Sequence, residues 1–183
     1  RIKPMSAVLI PSMYAMSGVC AFAALHHGIA VMQRRVGKLH LLIALLSATI
    51  LAILLTKAGA YQALTIPELV ALRRWEVAAI CLLFLLFPWW VAGFTGVRPR
   101  AFLLGSSTLW VLLFAINLGL PYGVQYVDLP SLTYFDLPWG ERVVDLRVLQ
   151  RSIWHNIGLL GILTAMAYSV HACRVQFRRG QHR

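Results

Sequence analysis

Five apolar stretches, each about as long as a helix needs to cross ~30 Å of hydrocarbon, constrain this chain more than any other feature. In lipid no water satisfies backbone N–H and C=O groups, so a spanning segment must close its own hydrogen bonds as a helix. The stretches are Pro11 to Met32, Leu39 to about Ala58, a third that opens at TIPELVALRRWEVAAI and continues through LLFLLFPWWVAGF, Ala101 to Leu120, and about Ser152 to Cys173. Composition agrees: 60% of residues are hydrophobic and 13% charged, against ~25% charged in soluble domains, and mean hydropathy is +0.73. The expected fold is an all-α membrane protein with five transmembrane helices, two tight hairpins plus a fifth helix, forming a single domain over residues 1–183.

The connections have their own signals. Thr65 and Glu68 stand in capping-box relation with Pro67 in the first turn, which starts the third helix. Pro88, inside that helix, removes a donor and should kink it. Residues 121–151 are the one sizeable extramembrane piece. There LTYFD and ERVVDLRV flank LPWG, a pattern that suits a short β-hairpin or irregular cap. Small-residue stripes, Ser17, Ala21, Ala24 and Gly28 on the first helix and Gly161, Ala165 and Ser169 on the fifth, read as close-packing seams.

A net charge of +11 raises the question of nucleic acid. The basic residues, however, are scattered between spans and form no binding module, so they read as topology signals and nucleic acid is not an expected partner. Arg34, Arg35, Lys38, Arg98, Arg100 and the arginine-rich tail fall on one side, in short loops without acids. That side is expected to be cytoplasmic, which puts the N-terminus outside and the 121–151 cap extracytoplasmic. All six acids fall on the other side, together with the aromatic residues Tyr61, Trp75, Tyr122, Tyr126 and Trp154. Arg34, Arg35, Arg98 and Arg100 are expected to set topology and meet anionic lipid headgroups. No signal-peptide pattern opens the chain, and its start at Arg1 reads as that of a trimmed or partial chain.

AALHHGIAVMQRRVGKLHLL carries the candidate cofactor ligands. His27 lies about 10 Å inside the boundary set by Arg34, and His40 and His171 approach the same boundary on other helices. The three imidazoles could converge on haem or a small ligand. His26 and His27 diverge by ~100° and cannot both face one gap. The favoured alternative is structural, with His27 and His40 hydrogen-bonded across a helix contact or to interfacial water and no resident cofactor. Cys20, Cys81 and Cys173 form no metal or disulfide pattern. No Ser/His/Asp set, HExxH, phosphate loop or paired membrane carboxylate appears, so no catalytic residue is assigned and no enzyme activity is expected.

In order along the chain, AALHHGIAVMQRRVGKLHLL, FPWWVAGFTGVRPRAFLLGSSTLWVLLFAINLGLPYGVQY, LPWGERV and the terminal FRRG resemble the multi-pass N-terminal membrane sensor region of bacterial signalling proteins, the kind that precedes PAS, histidine-kinase or diguanylate-cyclase modules. The resemblance implies an inner-membrane input domain that relays a stimulus through its fifth helix to a cytoplasmic output module, with a homodimer as a fitting assembly. Tyr134, Trp139 and Glu141 are the candidate outer-cap ligand contacts, with a hairpin that simply covers the helix ends as the favoured alternative. The chain departs from the pattern by stopping at RRGQHR, where such proteins continue. The alternative is an accessory subunit of a larger respiratory or photosynthetic complex, packed against other membrane subunits and binding lipid, quinone or pigment.

Overall fold

The computed structural model describes residues 8–33, 37–129, 131–145 and 150–181. Its helices are α1 (Leu9–Met32), α2 (Lys38–Gln62), α3 (Ile66–Thr95), α4 (Arg100–Gly119) and α5 (Ile153–Gln181), with strands β1 (Tyr134–Asp136) and β2 (Arg142–Val144) between α4 and α5. All five helices are long and apolar enough to cross a membrane, as the hydropathy pattern requires. α5 runs past Cys173 to Gln181, because RVQFRRG contains good helix formers and the helix need not stop where the apolar run does.

Local chemistry sets the helix ends. Thr65 has extended φ/ψ and its Oγ1 accepts the Glu68 N–H at 3.3 Å, while the Glu68 carboxylate accepts the Leu64 N–H at 3.0 Å. The capping box therefore forms, its return bond displaced by one residue. α3 continues through a buried Pro88 and ends at Gly96, whose φ of +71° supplies the left-handed cap.

α3 is the hub, packed against α2, α4 and α5, whereas α1 packs against α2 alone among the described elements. The core runs along α3 in three clusters. Leu69 meets Ala60, Ala63, Tyr126 and Val144. Cys81 and Phe84 meet Trp110, Leu113 and Ala165. Val91 and Ala92 meet Leu103, Tyr168 and Ala172. The α5 stripe serves as a seam, whereas on α1 only Ser17 is buried and a Cβ at Gly28 would meet nothing within 4 Å. At Gly161 a Cβ would stand 3.0 Å from both Leu109 Cδ2 and Trp110 Cζ2, so α5 approaches α4 as closely as glycine permits.

The segment after α4 covers one end of the bundle. β1 and β2 pair antiparallel, with Tyr134 opposite Val144 and Asp136 opposite Arg142. Their turn is closed by Leu137 N–H to Glu141 O at 2.9 Å and Gly140 N–H to Leu137 O at 2.8 Å. A second joint, the Tyr126–Arg151 bridge, ties the chain leaving α4 to the chain entering α5. β2 rests on α2 through Val144, so the hairpin belongs to the core at that end.

Candidate functional site at the capped end

The carboxylate of Glu141 accepts the backbone N–H groups of Val8, Leu9 and Ile10, at 3.2, 2.8 and 3.0 Å. These are free donors at the start of α1, where no side chain of α1 itself acts as a cap. Trp139 Nε1 donates to the same carboxylate at 2.9 Å. Partial desolvation raises the Glu141 pKa, and the bonds from Trp139, Ile10, Leu9 and Val8 outweigh it, holding the carboxyl below its usual value. Tyr134 Oη donates to Ala63 O, just past the end of α2, at 3.2 Å. Two of the three cap residues thus meet the helix ends beneath them, Glu141 at α1 and Tyr134 at α2, while Trp139 braces the Glu141 carboxylate.

Below the hairpin lies a polar layer rooted in α3. Arg73 and Glu76, 12% and 4% exposed at their side chains, form an ion pair one turn apart, and the Arg73 guanidinium lies 5.7 Å from the Tyr126 ring centroid. Arg74 donates to Leu120 O and Pro121 O at 2.8 and 2.9 Å, supplying positive charge to the carbonyl end of α4. Asn117, fully buried, donates to Arg74 O at 2.9 Å and accepts from Val124 N at 3.3 Å. Gly123 has φ +68°, and a Cβ there would stand 2.7 Å from Asn117 Oδ1. The glycine of LPYG is therefore required twice, by its conformation and by the close amide. A polar residue in the otherwise apolar AINLGLPYG was the sequence signal for Asn117.

The opposite end holds the histidines. His27 Nδ1 and His40 Nδ1 are 2.9 Å apart, a direct hydrogen bond joining α1 to α2. This is shorter than the roughly 3.3 Å between two ring nitrogens each held ~2.0 Å from a tetrahedral metal. His26 is exposed, its ring nearly perpendicular to that of His27 at 5.2 Å. His171 is also exposed, on α5, which packs against α3 and α4 and touches neither α1 nor α2. Two of the three candidate ligands therefore meet and the third stands apart. Among the described residues no group of three or more His, Cys, Asp or Glu is placed to hold a metal. Arg98 and Arg100 are exposed at the turn between α3 and α4. Arg34 and Arg35 lie outside the described residues.

Between α2, α3 and α4 an apolar groove of about 520 Å³ opens at the bundle surface, lined by Ala52, Trp75, Leu82, Trp110 and Phe114 among others. Comparison with protein-family models, curated proteins and solved structures finds no match for this chain.

Proposed function

We propose that this chain is a non-catalytic sensory input module of a bacterial inner membrane, with the cap outside and α5 relaying a stimulus to a cytoplasmic output module. The observation that carries the reading is α5 itself. Its 29 residues make about 43 Å of unbroken helix at 1.5 Å per residue, more than the ~30 Å of hydrocarbon. It begins beside the Tyr126–Arg151 bridge of the cap and ends in the basic turn of Arg178 and Arg179. A rigid element joining cap to far face suits a relay. A stimulus that binds two arrangements of the cap with different affinity would shift α5 along with it. The basic residues Arg98, Arg100, Arg178 and Arg179 gather at the end away from the cap, which supports a cytoplasmic placement of that end.

The test joins α5 to a phosphorylation-reporting output module in helical register. Trp139→Ala and Glu141→Ala are each expected to shift basal output at least twofold at equal membrane abundance. Unchanged output in both discards the relay through the cap.

A second reading, an accessory subunit of a larger membrane complex, draws on the 520 Å³ apolar groove and on α1, whose apolar flank includes Met16, Val19, Phe22 and Leu25, each more than half exposed. Isolation in mild detergent separates the two: a subunit co-purifies at fixed stoichiometry with other membrane chains, and a sensor does not.

A further inference from the structure

At the end away from the cap, a groove of about 360 Å³ opens between the start of α2 and the end of α3. Its lining is basic at the helix ends: Lys38 is the first residue of α2, and Arg98 lies in the turn after α3. Farther along the same helices the lining is apolar, with Leu42, Trp89 and Gly93. Counted from Lys38 to Leu42 on α2 and from Thr95 back to Trp89 on α3, this apolar part extends about 6–9 Å inward at 1.5 Å per residue. Trp89 Nε1 already donates to Ser107 Oγ at 3.0 Å, so what Trp89 offers the groove is ring surface. Lys38 and Arg98 are both exposed, and neither side chain has a hydrogen bond or ion pair among the described residues. The six acids sit on α3 near its head and between α4 and α5, at the other end of the bundle. Two cations therefore share one groove with no counter-charge from the described chain.

We propose that this groove binds one anionic phospholipid, its phosphate held by Lys38 and Arg98 and an acyl chain laid along Leu42 and Trp89. Each part of the groove selects a part of the ligand. The two unpaired cations select a head of net negative charge, since the ammonium of a zwitterionic head would find no acid there. The apolar part selects an attached chain over free phosphate, which would leave that surface uncovered. Position selects lipid over an acidic protein segment: α2 and α3 are both long and apolar enough to span the membrane, and an irregular segment laid between them would carry unpaired backbone groups into hydrocarbon. A defined site differs from the diffuse attraction of basic turns for anionic lipid, to which every cation of the turn contributes. Arg100, exposed two residues on, carries the same charge as Arg98 and does not line the groove. The site stands whichever leaflet this end faces and whether or not the protein signals.

Native mass spectrometry of the purified full chain in detergent, titrated with dioleoyl phosphatidylglycerol or dioleoyl phosphatidylethanolamine, each with and without excess inorganic phosphate, tests the proposal. Saturable retention of one phosphatidylglycerol is expected, about fivefold or more tighter than the ethanolamine lipid and unaffected by phosphate. Lys38→Gln and Arg98→Gln should each weaken it about fivefold, the scale for one basic residue facing anionic lipid, whereas Arg100→Gln should leave it unchanged. Gly93→Phe keeps both charges and should weaken retention by filling the apolar part. Gly93→Ala is the folding control, since a Cβ there meets Leu39 Cδ1 at an ordinary 3.5 Å, and its helical circular dichroism should match the parent. Equal or tighter retention of the ethanolamine lipid overturns the selection by charge, and displacement by inorganic phosphate overturns the lipid as occupant. Equal losses in Arg98→Gln and Arg100→Gln would reduce the contact to diffuse attraction and overturn the site, as would no saturable retention of either lipid.

Discussion

Glu141 shows how one side chain can complete an element far away in sequence. Its carboxylate satisfies donors of α1 that are 131 to 133 residues distant, a role ordinarily filled by a residue next to the helix. Because these bonds favour the ionised form, its pKa is lower in the folded state than in the unfolded chain. The stabilisation is therefore complete above the ordinary glutamate value of about 4.3 and is lost as pH falls below it. Glu141→Gln, which keeps an acceptor and removes the charge, should lower stability at pH 7 by about 0.5 kcal/mol, the scale for an anion at an exposed helix N-terminus. Melting curves of parent and variant should converge as pH falls through the lowered folded-state pKa of Glu141. A gap that stays constant as the carboxylate is protonated would mean the charge is not what holds α1. The sequence pointed to Glu141 and Trp139 as cap residues but could not show their target, because nothing local relates position 141 to position 9.

At the scale of elements, hydropathy located all five helices, missing the last eight residues of α5, which follow the apolar run, and turn chemistry located the hairpin. Both signals are local: apolar run length reports lipid, and Pro with Gly reports a reversal. Contacts between elements were less legible. Three histidines near one boundary suggested a single cluster, yet α5 lies across the hub from α1, so His171 never reaches His27. The His27–His40 bond, in contrast, follows from the shortness of the turn between α1 and α2. It requires one ring to carry a proton at Nδ1 and the other to lack it. A double-mutant cycle with His27→Phe and His40→Phe should give a coupling of about 0.6 kcal/mol, the average for polar contacts between membrane helices. Additive effects on thermal stability in detergent would show that the pair contributes nothing jointly.

For the whole molecule the polar layer beneath the hairpin was only half visible in advance. Arg73, Arg74 and Glu76 are charges near the head of an apolar helix in the sequence, but their partners, Tyr126, Leu120, Pro121 and Asn117, come from other segments and become apparent only in the folded chain. The charge asymmetry gives a direct expectation for topology. In a chain whose cysteines are replaced by alanine, a single cysteine at Arg98 should react with an impermeant thiol reagent from the cytoplasmic side, and one at Pro138 from the other side. Reaction of both from the same side would remove the arrangement on which the relay depends. Synthesis order adds one further consequence of the Glu141 contact. Translation delivers α1 to the bilayer long before residue 141 leaves the ribosome, so α1 waits for the residue that secures its first turn. A nascent chain halted at position 130 should therefore leave α1 open to proteolysis that the finished protein resists.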